Sequence, residues 1–285
     1  RTLFNLNQRG KNKMLQYGFM QNAFIVSFFI GILCPSIGLF LVLRRYSLIG
    51  DTLSHSSLAG VTLALASGIN PILGAFIFTT AAGALIEALR NAFKEYQDLI
   101  LSIVLSLSVG IAITLISSGT VRANAETYLF GSVLTVSSSD LITVIALSIL
   151  SLVTLGLMYH KMVYIALDED IAKIMGVKVR LINYLFSGLT AATIAVSLKI
   201  VGMLVLSSMI ALPVATALQL KMSFKKTLIF SILISVADIM LGLVLSYHLN
   251  VAPGGFTALV SVIVLILTIG ITRLIKIFYT GNAQA

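Results

Sequence analysis

Apolar residues run almost uninterrupted along this chain and form nine segments, each close to the about 20 residues that a helix needs to cross a bilayer. Turn-forming residues separate several of the segments, as at Gly68–Pro71 and Pro253–Gly255. The least distinct boundary lies between the sixth and the seventh segment, where Lys199 and Gly202 interrupt a long apolar stretch. The segments are approximately 19–43, 47–67, 71–90, 98–118, 140–160, 181–198, 201–219, 227–248 and 256–274. The pattern predicts an all-α, polytopic membrane protein of eight or nine transmembrane helices.

Composition supports this fold class and excludes a water-soluble one. Hydrophobic residues make up 58% of the chain and charged residues only 10%, and the mean hydropathy is +1.06. A soluble domain has roughly 45–50% apolar and about 25% charged residues. The chain contains no Walker motif, no glycine-rich phosphate loop and no catalytic triad. The sequence therefore does not predict an enzyme, and energy for any transport must come from another subunit or from an ion gradient.

The distribution of charge predicts an orientation in the membrane. The chain has 19 basic and 10 acidic residues, a formal net charge of +9, and no nucleic-acid-binding motif accompanies this charge. When the loops are assigned alternately to the two sides of the membrane, Arg122 and Lys199 lie on one side. The polar N-terminal tail, residues 1–13, lies on the same side and precedes Met14, the expected natural start. The other side collects Arg44, Arg45, Arg90, Lys94, Lys161, Lys173, Lys178, Arg180, Lys221, Lys225, Lys226, Arg273 and Lys276. The positive-inside rule makes this richer side cytoplasmic, with the N-terminus outside, the C-terminus inside and one transmembrane domain over residues 14–285.

Two ionisable residues in the second segment are the strongest candidates for function. Asp51 and His55 are four residues apart and share one helix face, with Ser47 and Ser54 on or beside that face. An ionisable group costs roughly 2.5–3.5 kcal/mol at the centre of a membrane helix, so it usually faces a bundle interior or a pathway. A carboxylate and an imidazole can bind a divalent metal ion, pass protons, or pair to hold helices together. Two ligands are too few for a tetrahedral zinc site, which a homodimer meeting at this helix could complete.

Two further features are candidates for function. Asp238, near the middle of the eighth segment, is expected to line the same pathway or to pair with Lys199 or with Ser and Thr hydroxyls. In the loop 161–180, a good N-cap residue, acidic residues behind it and a glycine predict a short helix at about 166–177. The residues that define this helix are Asp168, Glu169, Asp170, Ile171, Ile174, Met175 and Gly176. It is interpreted either as a solvated connector or as a docking site for a soluble partner.

The segment Leu43–Gly60 resembles the signature of the zinc/manganese-type ABC permeases. Further segments resemble elements of the same family in the same order, namely Tyr128–Ser132, Asp168–Val177, Val201–Ala217 and Ala252–Gly255. The resemblance implies a permease of type II-like architecture in a bacterial plasma membrane. It also implies a homodimer, cytoplasmic ATPase subunits that bind ATP, and an extracytoplasmic metal-binding lipoprotein, with no cofactor in the permease itself.

The resemblance also implies roles for individual residues. Asp51 and His55 match the metal-coordinating acid and histidine of the family pathway, and Asp168–Val177 matches its ATPase-docking helix. Asp238 departs from the family pattern, in which this position is usually neutral. The wording of the segment around Asp51 is closer to zinc-uptake members than to manganese-uptake members. The predicted substrate is therefore Zn²⁺, with Mn²⁺ or a proton-coupled secondary transporter as alternatives.

Overall fold

The computed structural model describes residues 18–119, 121, 125–132, 138–249 and 251–281, and the expectation for residues 1–13 falls outside them. The described part of the chain is helical and contains no strand. The α-helices are α1 Gly18–Leu43, α2 Ser47–Ala66, α3 Pro71–Ala92, α4 Gln97–Ser117, α5 Ala125–Phe130, α6 Ser138–Leu167, α7 Glu169–Ile174, α8 Val179–Val201, α9 Met203–Gln219, α10 Phe224–Leu249 and α11 Pro253–Gly281. Apart from the short helices α5 and α7, these correspond one to one with the nine predicted segments.

In the described part of the chain, seven helices are long and apolar enough to cross a membrane, and they are α1, α3, α4, α6, α8, α10 and α11. Helix α9 is apolar but shorter, with 17 residues. Helix α2 is long enough, but Asp51, His55 and several hydroxyl side chains lower its hydropathy. It lies inside the bundle instead, packed against α3, α4, α8 and α9. The all-α, polytopic fold is thus confirmed, and its most polar long helix is covered by its neighbours on most of its sides.

Helices α1 and α8 form the centre of the bundle. In their most apolar windows 72% of α1 and 78% of α8 is buried, against 6% of α11, which lies at the edge. The ring of Phe40 on α1 is fully buried and contacts the rings of Tyr159, Phe186 and Phe224 at centroid distances of 6.3, 6.2 and 5.5 Å. One aromatic side chain therefore joins α1 to α6, α8 and α10.

Three glycines meet at the end of the bundle opposite α7, and we call this contact the glycine junction: Gly131, Gly202 and Gly254. Gly202 has φ +82° and ψ 151°, which separates α8 from α9 at the boundary that the sequence left least distinct. A Cβ atom on Gly131 or Gly254 would collide with the carbonyl oxygen of Ile200 or Val201, respectively. The amide of Ser132 donates to the carbonyl of Lys199 at 2.9 Å. Backbone packs directly on backbone here, which only glycine permits.

We expect Gly202→Ala to destabilise the protein by about 2 kcal/mol or more, because alanine is strained at this φ and its Cβ would lie 2.5 Å from the Gly131 nitrogen. Gly156→Ala on α6 is the matched control, since nothing lies within 4 Å of its Cβ position. The control should be neutral or slightly stabilising, because alanine favours helix. Thermal unfolding in detergent measures both variants, and equal midpoints would show that the junction tolerates a side chain.

Candidate functional site

Asp51 and His55 lie on the second and third turns of α2, and both are only partly buried. Leu48, one turn earlier, is 58% exposed, whereas Thr52, Leu53 and Ser54 are buried. The three residues Leu48, Asp51 and His55 therefore form a stripe, which we call the open stripe, on a helix whose other sides are largely covered. Among the described residues, neither Asp51 nor His55 makes a hydrogen bond or an ion pair. They do not hold this chain's helices together as a pair, and they are accessible from outside it.

The other polar side chains of α2 make bonds that allow the helix to be buried. Ser54 donates to the carbonyl of Gly50 at 2.7 Å, and Thr62 donates to that of Ala59 at 2.9 Å. Ser56 is hydrogen-bonded to Ser108 on α4 at 2.8 Å. Ser54, predicted as a pathway residue, is thus fully buried and outside the open stripe. Ser47, predicted with it, is the first residue of α2, and its side chain is not among those described.

One copy of the chain does not provide a complete metal site in its described part. No group of three or more His, Cys, Asp and Glu side chains comes together among these residues. A zinc site takes four ligands as a rule, and Asp51 and His55 supply two. An ion held at the open stripe would need further ligands from water or from a second chain.

Asp238 lies in a different part of the bundle. It is 2% exposed on α10, and the hydroxyl of Ser261 on α11 donates to its Oδ2 at 2.6 Å. Helix α10 packs against α1, α9 and α11. The sequence allowed Asp238 to pair with Lys199 or with a hydroxyl, or to line the same pathway as Asp51. In the structure it pairs with a hydroxyl and not with Lys199, and it does not lie at the open stripe.

The predicted short helix is present as α7, with narrower bounds than expected. Oδ1 of Asp168 caps it by accepting from the amides of Asp170 and Ile171 at 2.8 and 3.0 Å. The ammonium of Lys173 hydrogen-bonds to Asp170 at 2.9 Å, which raises the pKa of Lys173, and Glu169 acts in the same direction. Helix α6 runs on to Leu167, so α7 begins only at Glu169. Gly176, at φ +81°, follows its C-cap.

The apolar side chains of this loop lie on the surface. Ile171, Ile174 and Met175 are 55%, 86% and 58% exposed, whereas Ala172 is fully buried. Three large apolar side chains grouped on a polar end of the molecule are typical of a protein–protein contact. The exposure favours the docking interpretation over that of a solvated connector.

A cluster that the sequence analysis did not single out lies between α7 and the start of α2. The guanidinium carbons of Arg44 and Arg90 lie 4.5 and 3.9 Å from the ring centroid of Tyr46. Arg44 also reaches Glu169 of α7, with 3.8 Å between Nη2 and Oε2. The adjacency of Arg44 and Tyr46 was the only local signal, because Arg90 is contributed by the distant end of α3.

Known proteins with similar sequences are membrane components of metal transport systems. A probable metal transport system membrane protein of Treponema pallidum is 58% identical over 260 residues, which cover 91% of this chain and 98% of that protein. A manganese transport system membrane protein of Listeria innocua is 32% identical and covers 88% of this chain and 90% of its own length. A high-affinity zinc uptake system membrane protein of Buchnera aphidicola is 34% identical, with coverage of 75% and 82%.

A solved structure and a family profile agree with these relatives. The structure of PsaBC from Streptococcus pneumoniae in complex with Fab contains a chain with a TM-score of 0.82 and 27% identity, covering 90% of this chain and 93% of that one. The profile described as the ABC 3 transport family matches residues 16–272. The chain therefore belongs to the ABC 3 transport family, as a multi-pass membrane permease subunit of a metal ABC transporter that is not itself an enzyme.

Proposed function

We propose that this permease imports a divalent transition metal ion, zinc in the first place, through a pathway that contains Asp51 and His55. The observation that carries the proposal is the open stripe, where a carboxylate and an imidazole have no partner in their own described chain and are only partly buried. Leaving such groups against lipid costs several kcal/mol, so another polar surface has to cover them. A passing cation is a partner that matches their chemistry.

The covering surface in this proposal is a second copy of the chain. Next to α2, helix α4 exposes Leu99, Ile103 and Leu107, and a groove between the two helices is lined by Leu63 and Gly110. A two-fold contact along this face would bring two Asp51 and two His55 side chains together. Those four ligands are the number that zinc prefers. Ser47 is one turn before Asp51 in α2 and would be near the end of this pathway, whereas the buried Ser54 would support α2 from behind it.

The choice of zinc rests on the ligand types and on the wording of the segment around Asp51. Imidazole suits zinc better than it suits manganese, whereas a carboxylate serves both ions. Manganese is the second candidate, supported by the function named for the Listeria relative. ATP would be hydrolysed by a separate subunit that binds the exposed residues of α7, and a metal-binding protein would deliver the ion at the opposite end.

The distribution of charged residues supports an orientation in the bacterial plasma membrane. Arg44, Arg90 and Glu169 lie together at the α7 end, as the alternation of loops requires. Helix α8 runs from that end to the glycine junction, a length of about 34 Å at 1.5 Å per residue. We infer that the α7 end is cytoplasmic and that the N-terminus lies outside.

Reconstitution tests the function directly. The permease, co-expressed with its ATPase and supplied with its metal-loaded binding protein, should take up zinc into proteoliposomes only in the presence of ATP. Parallel assays with manganese decide between the two ions. Uptake driven by a proton gradient without an ATPase subunit would contradict the proposal and favour the alternative in which Asp51, His55 and Asp238 relay protons.

Asp238→Asn should leave ATP-dependent uptake within about twofold of the parent, a change no larger than that of most neutral substitutions. The amide oxygen of asparagine can still accept the hydrogen bond of Ser261, and α10 does not belong to the proposed pathway. Asp238→Leu, which leaves the Ser261 hydroxyl buried without its partner, should instead lower thermal stability. Loss of uptake in the asparagine variant at normal stability would assign Asp238 a direct role.

A further inference from the structure

Tyr46, the N-cap residue of α2, contacts two guanidinium groups with its ring. Arg44 and Arg90 stand over its ring at 4.5 and 3.9 Å, and the side chain of Arg44 is only 5% exposed. Cation–π contacts are stronger where water is excluded. We call these three residues the tyrosine clamp.

The two arginines of the clamp are anchored to different parts of the molecule. Arg90 is ion-paired with Glu87 at 3.4 Å and donates to Gln97 at 3.0 Å, so it is fixed to the end of α3 and the start of α4. Arg44 lies 3.8 Å from Glu169 of α7, between Nη2 and Oε2. The clamp therefore joins a fixed wall of the bundle to the exposed helix α7.

The Arg44–Glu169 contact is incomplete, which makes it sensitive to small movements. The atoms are 3.8 Å apart, whereas a charge-assisted hydrogen bond is about 2.7–2.9 Å long, and Nη2 of Arg44 is buried without a hydrogen-bond partner among the described residues. A small cavity beside it is lined by Tyr46, Glu87 and Ser187. A shift of α7 by about 1 Å toward Arg44 would complete the hydrogen bond, and a similar shift away from it would weaken the ion pair.

A movement of the clamp reaches the open stripe because α2 is one continuous helix. The amide of Ile49 donates to the carbonyl of Tyr46 at 3.0 Å, so the helix is hydrogen-bonded to the clamp from its first turn. Asp51 and His55 lie about 7.5 and 13.5 Å further along the axis at 1.5 Å per residue. A tilt of the first turn of α2 would move both side chains.

We propose that the tyrosine clamp transmits the state of the ATPase subunit, sensed by α7, to the metal-binding stripe of α2. This inference rests on the proposed function and adds Arg44, Tyr46 and Arg90 to it as positioning residues that do not touch the metal. Replacing the ring of Tyr46 should reduce the stimulation of ATP hydrolysis by metal, while the ATPase subunit and zinc still bind. A purely structural clamp would not produce that separation.

The test uses the full transporter with its ATPase and metal-loaded binding protein, and compares Tyr46→Leu, Tyr46→Phe and Arg44→Gln with the parent. The ratio of metal-stimulated to basal ATP hydrolysis should fall about fivefold or more in Tyr46→Leu and Arg44→Gln, the lower end of typical couplings between sites. Tyr46→Phe retains the ring and should stay within about twofold, as should Tyr184→Leu, a control on an exposed tyrosine of α8. All four variants should keep three properties of the parent: basal ATP hydrolysis, the amount of co-purified ATPase, and zinc affinity in the absence of ATP.

The possible outcomes separate this inference from the proposed function. If the parent itself shows no metal-stimulated hydrolysis or retains no ATPase, the proposed function has failed before any variant is compared. If the parent behaves as expected and Tyr46→Leu and Arg44→Gln are stimulated like it, the clamp transmits nothing. If the two variants lose zinc affinity or thermal stability together with stimulation, the clamp only holds the start of α2, and the inference is overturned.

Discussion

In proteoliposomes that contain the full transporter, His55→Ala and Asp51→Asn should each lower zinc affinity by roughly 100-fold and abolish zinc uptake at low zinc concentration. Even groups that only support a metal ligand change affinity about 10- to 100-fold, and each of these substitutions would remove two direct ligands from the proposed two-fold site. Isothermal titration with zinc and ATP-dependent uptake measure the two effects.

Ser57→Ala provides the control on the same helix. Ser57 is fully buried and its hydroxyl donates to the carbonyl of Ser54 at 2.6 Å, so its removal affects α2 without touching the open stripe. This variant should bind and transport zinc like the parent. If His55→Ala and Asp51→Asn did the same, the pathway would have to lie elsewhere in the bundle.

Met175→Asp should weaken binding of the ATPase subunit by about tenfold or more while the membrane part remains assembled. Burial of a methionine side chain is worth about 1.5–3 kcal/mol, and aspartate would in addition place a charge in an apolar contact. Glu169→Lys should have the same direction of effect, because it reverses a partly exposed charge next to Lys173 on the docking helix itself. A pull-down of the ATPase, with size-exclusion chromatography of the permease, separates the two properties.

Leu249→Asp is the matched control for this experiment. Leu249 is 56% exposed, similar to Met175, but it lies at the opposite end of the bundle. The same chemical change there should leave ATPase binding unaltered. Normal capture of the ATPase by both Met175→Asp and Glu169→Lys would mean that α7 is a connector and that the ATPase binds another surface.

Much of the local structure follows from the sequence for a simple physical reason. In lipid every backbone amide and carbonyl has to find a partner within the protein, so long apolar segments become helices. Asp51 and His55 share a face because four residues make about one helical turn. Asp168 ends the preceding helix and begins α7 because its side chain accepts two amide hydrogen bonds that the helix cannot satisfy itself.

The sequence does not show in the same way which neighbour each face of a membrane helix packs against. All sides of a membrane helix are apolar, so hydrophobic contrast does not indicate which side packs inward, and close approach of small residues decides instead. That Asp238 bonds to Ser261, and that Ile171, Ile174 and Met175 stay on the surface, therefore emerged only from the packed bundle.

The sequence by itself thus determined the positions of the helices and placed Asp51 and His55 one turn apart on the same helix face. It also indicated a boundary between two helices near Gly202. The tertiary structure decided that α2 is enclosed except along its open stripe, that three distant glycines meet backbone to backbone, and that Arg90 reaches the ring of Tyr46. The physical reason is the separation along the chain between the residues that interact. Helix formation depends on residues a turn apart, whereas these contacts depend on helices that fold back from remote parts of the chain.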